Sequence, residues 1–259
     1  MKRHNILIAL LMILGLAAGL PAPAQAAPTT RPSVVIVHGA FADGSDWARV
    51  IPLLQEKGVS VQAVQNPLES LAGDVAATTR AIDNQPGNVV LVGHSWGGMV
   101  ITEAGDHPKV ANLVYVGAFA PDVGQSIASI TQDQPPSPGV EQAVTDRHGW
   151  LNLPPQAVAR YFTQDVPAER ARVMAATQGP IKATAFGEAV STAAWRSKPS
   201  WYIVNQNDRM ILPELERAMA RHIGARITEL PTSHVPQQSR PADVARVILE
   251  AVDSVEYVD

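Results

Sequence analysis

The sequence predicts an α/β fold: a mostly parallel sheet with helices on both faces and an inserted helical cap. Three observations carry this. β-forming runs alternate along the chain with amphipathic helical stretches, the order that winds a parallel sheet. The runs Val34-Val35-Ile36-Val37 and Val89-Val90-Leu91-Val92 are apolar without alternation, as suits central strands covered on both faces. The pattern is interrupted once, from Asp122 to about Ala183, by Pro-rich sequence in which no buried strand is readable.

The first strand, Val34–Val37, ends in His38-Gly39-Ala40-Phe41. Ser45 is placed to cap a helix over 46–57 with Trp47, Val50, Ile51 and Leu54 on one face, and Gly58 stops it. Val59–Val64 reads as the next strand. Ser70 opens a second helix to about Asn84, with Leu71, Val75 and Ile82 inward, and Gln85-Pro86-Gly87 turns the chain into the strand at Val89. A helix to about Asp106 and a strand over 110–116 follow. The interrupting segment holds two helical patterns, near 155–163 and 167–178. A structureless loop of this length is rare in a compact domain, so the segment is read as a helical cap. Beyond it come a helix over about 186–197, a strand at Trp201–Val204, a helix at Pro213–Ile223, a strand at Arg226–Leu230 and a last helix over 241–252.

The strand at Val89 runs into Gly93-His94-Ser95-Trp96-Gly97, a G-x-S-x-G pattern. A serine raised on a sharp strand-to-helix turn needs unusual backbone angles and small neighbours two positions away. The following helix aims its free N–H groups and dipole at the serine, which favours negative charge there. Ser95 is therefore the candidate nucleophile.

A serine nucleophile needs a base, and the base needs an acid to orient it. In a parallel sheet both come from loops at the carboxyl ends of strands. His234 follows the last strand, and Asp208 follows the one before it. Asp122, also beyond a strand end, is the rival acid. His38 lies at a strand end but reads as a packed loop former, while His107, His148 and His222 fall at helix ends or in the cap. The oxyanion donors are expected to be the backbone N–H groups of Trp96, after the nucleophile, and of Ala40, behind Gly39.

At the amino end, Lys2 and Arg3 precede an apolar run, Ile6–Leu20, and an Ala24-Gln25-Ala26 site. Residues 1–26 read as a secretory signal peptide, leaving 27–259 as one domain with its cap at about 122–183 and no membrane anchor after cleavage. The run is short against the ~20 residues that span a bilayer. Export puts the chain in the periplasm or outside the cell. The chain has no cysteine, which excludes disulfides, thiol chemistry and a Cys-based metal site. A net charge of −4 with interspersed signs gives no basis for binding nucleic acid. The oligomeric state is left open.

The motif residues together resemble the α/β-hydrolase superfamily over essentially all of 32–252. Within it the chain is most similar to the plant methylesterase/hydroxynitrile-lyase-like group and its bacterial esterase relatives. The matching residues are His38-Gly39-Ala40-Phe41 with Trp47, Gly93-His94-Ser95-Trp96-Gly97-Gly98, Val114-Tyr115-Val116 through Pro121, Asp208 before Pro213-Glu214, and Ser233-His234-Val235-Pro236. The resemblance implies the α/β-hydrolase fold with its cap, a Ser95–Asp208–His234 triad, and an oxyanion hole at Ala40 and Trp96. It implies no metal or organic cofactor. Hydroxynitrile lyases of this type carry a lysine after the triad histidine and a hydroxyl residue at the position of Gly39. Val235 and Gly39 depart from both, which argues against lyase activity. Dehalogenase and epoxide hydrolase relatives use Asp as nucleophile, and Ser95 argues against both.

The expected function is a secreted serine hydrolase cleaving carboxylic esters of small to medium, mainly apolar or aromatic substrates. Trp150, Leu151, Leu153, Tyr161, Phe162 and Met174 supply the cap's apolar side chains. Lactone, amide or C–C bond hydrolysis, perhydrolysis, and non-catalytic ligand binding on the same fold are the alternatives.

Overall fold

The computed structural model describes residues 31–255; the expected signal peptide lies outside them. Six strands, β1 (Ser33–Val37), β2 (Val61–Val64), β3 (Val89–His94), β4 (Val110–Val116), β8 (Ser200–Asn205) and β9 (Arg226–Leu230), form one parallel sheet. Their order is β2-β1-β3-β4-β8-β9, with β1, β3 and β4 at its core and β2 on one edge.

The unalternating strands work as expected. Val35, Val37, Leu91 and Tyr115 face one core, shared with α2 (Leu71–Asp83), α3 (Gly97–Ala104) and the residues between β4 and β8. Val34, Ile36, Val90, Val92, Val114 and Val116 face the other, against Trp47, Leu54 of α1 (Ile51–Gln55) and the last helix. Both faces are dry, so both sets of alternating positions are apolar. The chain leaves β1 toward β2 on one side and returns to β3 on the other. This reversal opens a crevice at the carboxyl ends of β1 and β3, where α/β sheets hold their ligands.

Between β4 and the next sheet strand the chain builds several short elements. α4 (Ile127–Thr131) opens with a Ser126/Ser129 capping box. β5 (Val144–Thr145) and β6 (Trp150–Asn152) join β7 (Ile181–Lys182) in a small antiparallel sheet. α5 (Pro155–Ala157) passes into a π-helical turn, Val158–Phe162, and α6 (Ala168–Thr177) follows. Neither α4 nor the small sheet is legible in the sequence, because elements of two to five residues carry no readable period.

β8 (Ser200–Asn205), α7 (Pro213–His222), β9 (Arg226–Leu230), α8 (Pro236–Ser239) and α9 (Pro241–Asp253) complete the domain. Two expected helices are corrected. Over 46–57 there is a 3-10 turn, Gly44–Trp47, capped by the Asp43 side chain rather than Ser45, and then α1. Pro52 has no N–H to bond back across that junction, so the helix starts afresh. Over 186–197 there are only 3-10 turns, Ala183–Gly187 and Ala194–Arg196. Glu103 captures the intervening backbone: its carboxylate accepts from the Ser191 N–H at 2.6 Å and the Thr192 N–H at 3.3 Å. Among the described residues no helix is long and apolar enough to cross a membrane.

Candidate active site

Ser95 stands where β3 meets α3, with φ +54°. A side-chain-bearing residue in this left-handed region costs on the order of 1–3 kcal/mol and persists only where its surroundings enforce it. Here they do. The Ser95 N–H donates to Val116 O at 3.3 Å, and the Ser95 carbonyl accepts from Gly98 N–H at 3.0 Å and Phe119 N–H at 3.2 Å. The flanking glycines have a steric reason. A Cβ on Gly93 would lie 2.6 Å from the Gly97 carbonyl oxygen, and one on Gly97 would lie 2.4 Å from that of Val37.

The loops after β8 and β9 bring Asp208 and His234 together. Asp208 Oδ2 lies 2.5 Å from His234 Nδ1, and both side chains are buried. Asp208 Oδ1 accepts from the N–H groups of Met210 (2.6 Å) and Ile211 (3.0 Å). Burial alone would raise this carboxyl group, but the facing imidazole and the donors hold it below the ordinary carboxylate range. With Nδ1–H donating to Asp208, His234 Nε2 carries the lone pair. Nε2 has no hydrogen-bond partner among the described residues. His234 and Ser95 line one cavity of about 360 Å³.

His94, a variable position of the G-x-S-x-G motif, packs on His234 with ring centroids 4.7 Å apart. Its Nε2–H donates to the His234 carbonyl at 2.8 Å. Burial pushes its midpoint down to about 3, so it is a neutral prop. Phe162, from the π-helical turn, meets the His234 ring edge-on at 4.9 Å.

Trp96 and Ala40 both line the cavity. Among the described residues neither backbone N–H donates to a protein acceptor. The Trp96 indole N–H donates to Asp74 Oδ2 at 2.7 Å, and Asp74 Oδ1 accepts the Leu68 N–H at 2.8 Å. Burial raises Asp74 to about 6 despite these bonds. His38 is a loop former: Nδ1–H donates to Gly39 O at 2.9 Å and Nε2 accepts the Asn66 N–H at 2.9 Å. Asp122 lies apart, paired at the surface with Arg196 (2.5 Å) and His222 (3.4 Å).

The cavity is walled by Phe41, Phe119, Phe162, Phe186, Ile211 and Leu215. Of the six cap residues singled out in the sequence, Phe162 lines it. Leu153 and Met174 are packed in the core, and Leu151 and Tyr161 pack against it. Trp150 lies under the Lys182 ammonium, 5.3 Å from its ring centroid. The segment over the cavity is tied to both loops below it. Asp165 Oδ2 accepts the Ser233 N–H at 2.8 Å, and the Gln164 amide donates to Asn207 O at 2.7 Å.

Comparison with known proteins agrees with this architecture. The family described as "Alpha/beta hydrolase family" matches residues 34–247. A carbendazim hydrolyzing esterase of Nocardioides sp. is 29% identical over 181 residues, 61% of this chain and 69% of that protein. Methylesterase 2 of Arabidopsis thaliana is 25% identical over 256 residues, 85% of this chain and 95% of that protein. The solved structure of a pyrethroid hydrolase from Sphingobium faniae JZ-2 superposes with a TM-score of 0.74 at 21% identity, covering 87% of this chain and 98% of that one.

Proposed function

The chain belongs to the alpha/beta hydrolase family, and on that premise we propose that it is a serine hydrolase cleaving neutral carboxylic esters through an acyl-enzyme. The observation that carries this reading is the buried 2.5 Å Asp208–His234 contact, with the lone-pair nitrogen of His234 in the same cavity as Ser95. In the proposed cycle Ser95 Oγ attacks the ester carbonyl while His234 Nε2 takes its proton. Asp208 holds the imidazole in the required tautomer and balances the imidazolium. The N–H groups of Trp96 and Ala40 receive the oxyanion. His234 then protonates the leaving alkoxide, and water attacks the acyl-enzyme by the same route.

The substrate class follows from the walls. Among the described residues, phenylalanine, isoleucine and leucine side chains make up most of the apolar wall, no Lys or Arg lines the cavity, and Glu141 is its one carboxylate-bearing side chain. A small to medium, uncharged ester with an apolar or aromatic acyl or alcohol part matches this lining. The names of relatives, among them carbendazim hydrolyzing esterase, pyrethroid hydrolase and methylesterase, support small organic substrates. We further propose export to the periplasm or beyond, on the apolar Ile6–Leu20 run and the Ala24-Gln25-Ala26 site. An amino-terminal sequence of the mature protein starting at Ala27 is the expected result.

The functional test uses a fluorophosphonate probe and a p-nitrophenyl ester series varied in acyl length, aromaticity and charge, run beside lactone and amide substrates. Ser95→Ala is expected to fold, to lose labelling and to lose hydrolysis. Activity within tenfold of wild type would remove Ser95 from the nucleophile role. A preference for anionic or sugar esters would overturn the substrate class alone.

A further inference from the structure

Asp208 has a neighbour that the acyl-transfer scheme leaves unused. Glu216, in the first turn of α7, is fully buried, with 0% exposure. It turns back to the end of β8, where Oε2 accepts the Asn205 N–H at 2.8 Å. Its Oε1 has no hydrogen-bond partner among the described residues. Asn205 joins Glu216 to Asp208: its backbone N–H donates to Glu216, and its side-chain amide donates to Asp208 Oδ2 at 3.4 Å. Two neighbouring buried carboxyl groups do not both ionise, and a hydrogen bond between them requires a proton on one.

The donors decide which one keeps it. Asp208 collects two backbone N–H groups and His234 Nδ1. Glu216 has a single backbone donor. The other charged or titratable groups around the pair do not change the balance. Tyr202 on β8 faces Glu216 but gives its phenol proton to Ala118 O. Arg217, next along α7, is turned outward onto Glu229 and Glu214. His94 is neutral. The amino end of α7 favours one negative charge nearby, and Asp208 supplies it.

We propose that Glu216 is a positioning residue of the site: it holds the one proton of this buried pair and donates it in a hydrogen bond to Asp208, fixing the carboxylate that orients His234. The inference rests on the Ser95–His234–Asp208 reading. Burial, and then the charge of Asp208, both push the Glu216 carboxyl well above its ordinary range. The donated bond limits rotation of Asp208 and tempers its pull on the His234 proton.

The test measures kcat and KM for p-nitrophenyl butyrate across pH in wild type, Glu216→Leu and Glu216→Gln. Leu keeps the bulk and removes the donor. It is expected to lower kcat about tenfold or more at unchanged KM, and to move the acid limb of kcat/KM upward, because an undonated Asp208 stabilises the imidazolium more strongly. Gln restores a neutral donor, so it is expected to recover most of kcat with the acid limb at the wild-type position. A limb displaced downward by about a unit or more in Glu216→Gln would show that wild-type Glu216 is ionised and would overturn the inference. So would a lowered melting temperature in Glu216→Leu with kcat and limb unmoved, since that marks a purely structural role. Should the Leu variant not fold, the limb position in Glu216→Gln decides. Fluorophosphonate labelling at Ser95 reports separately on the nucleophile reading, so the two can fail independently.

Discussion

Asp46 makes stability depend on pH in a calculable way. It sits in the 3-10 turn after β1 and is 2% exposed. Its Oδ2 has no hydrogen-bond partner among the described residues. Burial, reinforced by the charge of Asp43 and opposed by Arg170, raises its midpoint from 3.8 to about 7. The folded chain therefore binds this proton more tightly than the unfolded chain. The associated stability is fully present below the unfolded midpoint near pH 4 and is lost as pH rises through about 7. At about 1.4 kcal/mol per tenfold change in proton affinity, full ionisation costs the fold on the order of 4 kcal/mol. Asp46→Asn keeps the shape and removes the charge. Urea unfolding at pH 4.5 and pH 8 is expected to show the variant's advantage growing from about 1 kcal/mol at the lower pH to about 4 kcal/mol at the higher. Asp74 titrates in both proteins and cancels in the difference. Parallel stability curves from pH 4.5 to 8, or a variant weaker than wild type at pH 8, would refute the reasoning.

Other perturbations separate the parts of the site. Asp208→Asn is expected to cut kcat by about 10⁴ through the wrong histidine tautomer, while Asp122→Asn, at a surface ion pair, stays near wild type; initial rates on one ester rank the two, and the reverse order moves the acid to Asp122. Gly97→Ala forces a Cβ to within 2.4 Å of the Val37 carbonyl and is expected to cost about 3 kcal/mol by denaturant titration; a neutral result would mean that the β3–α3 turn at Ser95 yields easily. Trp96→Phe removes a donor from Asp74 and is expected to cost about 1–3 kcal/mol. That loss grows from pH 5 to pH 8, since losing a donor to the ionised form raises the acid's midpoint above 6. A loss independent of pH would show that the Trp96–Asp74 bond does not depend on the charge.

The legible parts of the chain are those where one physical demand acts alone. Val34–Val37 and Val89–Val92 had to be apolar at every position because each packs a core on both faces, so the parallel sheet could be read directly. Ser70 and Gly73 show their helix start locally, through a 3.1 Å cap bond. The approach of Asp208 to His234 follows from the strand order, since adjacent strands place their following loops side by side. Elements set by distant partners were not legible. The stretch 186–197 has helical periodicity, yet Glu103 on α3 claims the backbone at Ser191 and Thr192. Strands β5, β6 and β7 pair across gaps in the chain that two-residue patterns cannot announce. Glu216 looks like any acidic residue in a helical first turn; its burial against Asp208 depends on how α7 lies along β8. His94 was hidden by the motif itself, whose variable position says nothing about a ring packed on His234.

The bonds from Asp165 to Ser233 and from Gln164 to Asn207 bear on how such a protein could be redesigned. The backbone just before His234 and just before Asp208 is held from above by the segment that also contributes Phe162 to the cavity wall. Replacing that segment with one from a relative, in order to exchange what enters the cavity, would also release the loops carrying His234 and Asp208. A chimera that swaps the roof while keeping residues 160–165 preserves these anchors. One that replaces them as well changes selectivity and alignment at once, and its turnover would fall even on an ester that fits.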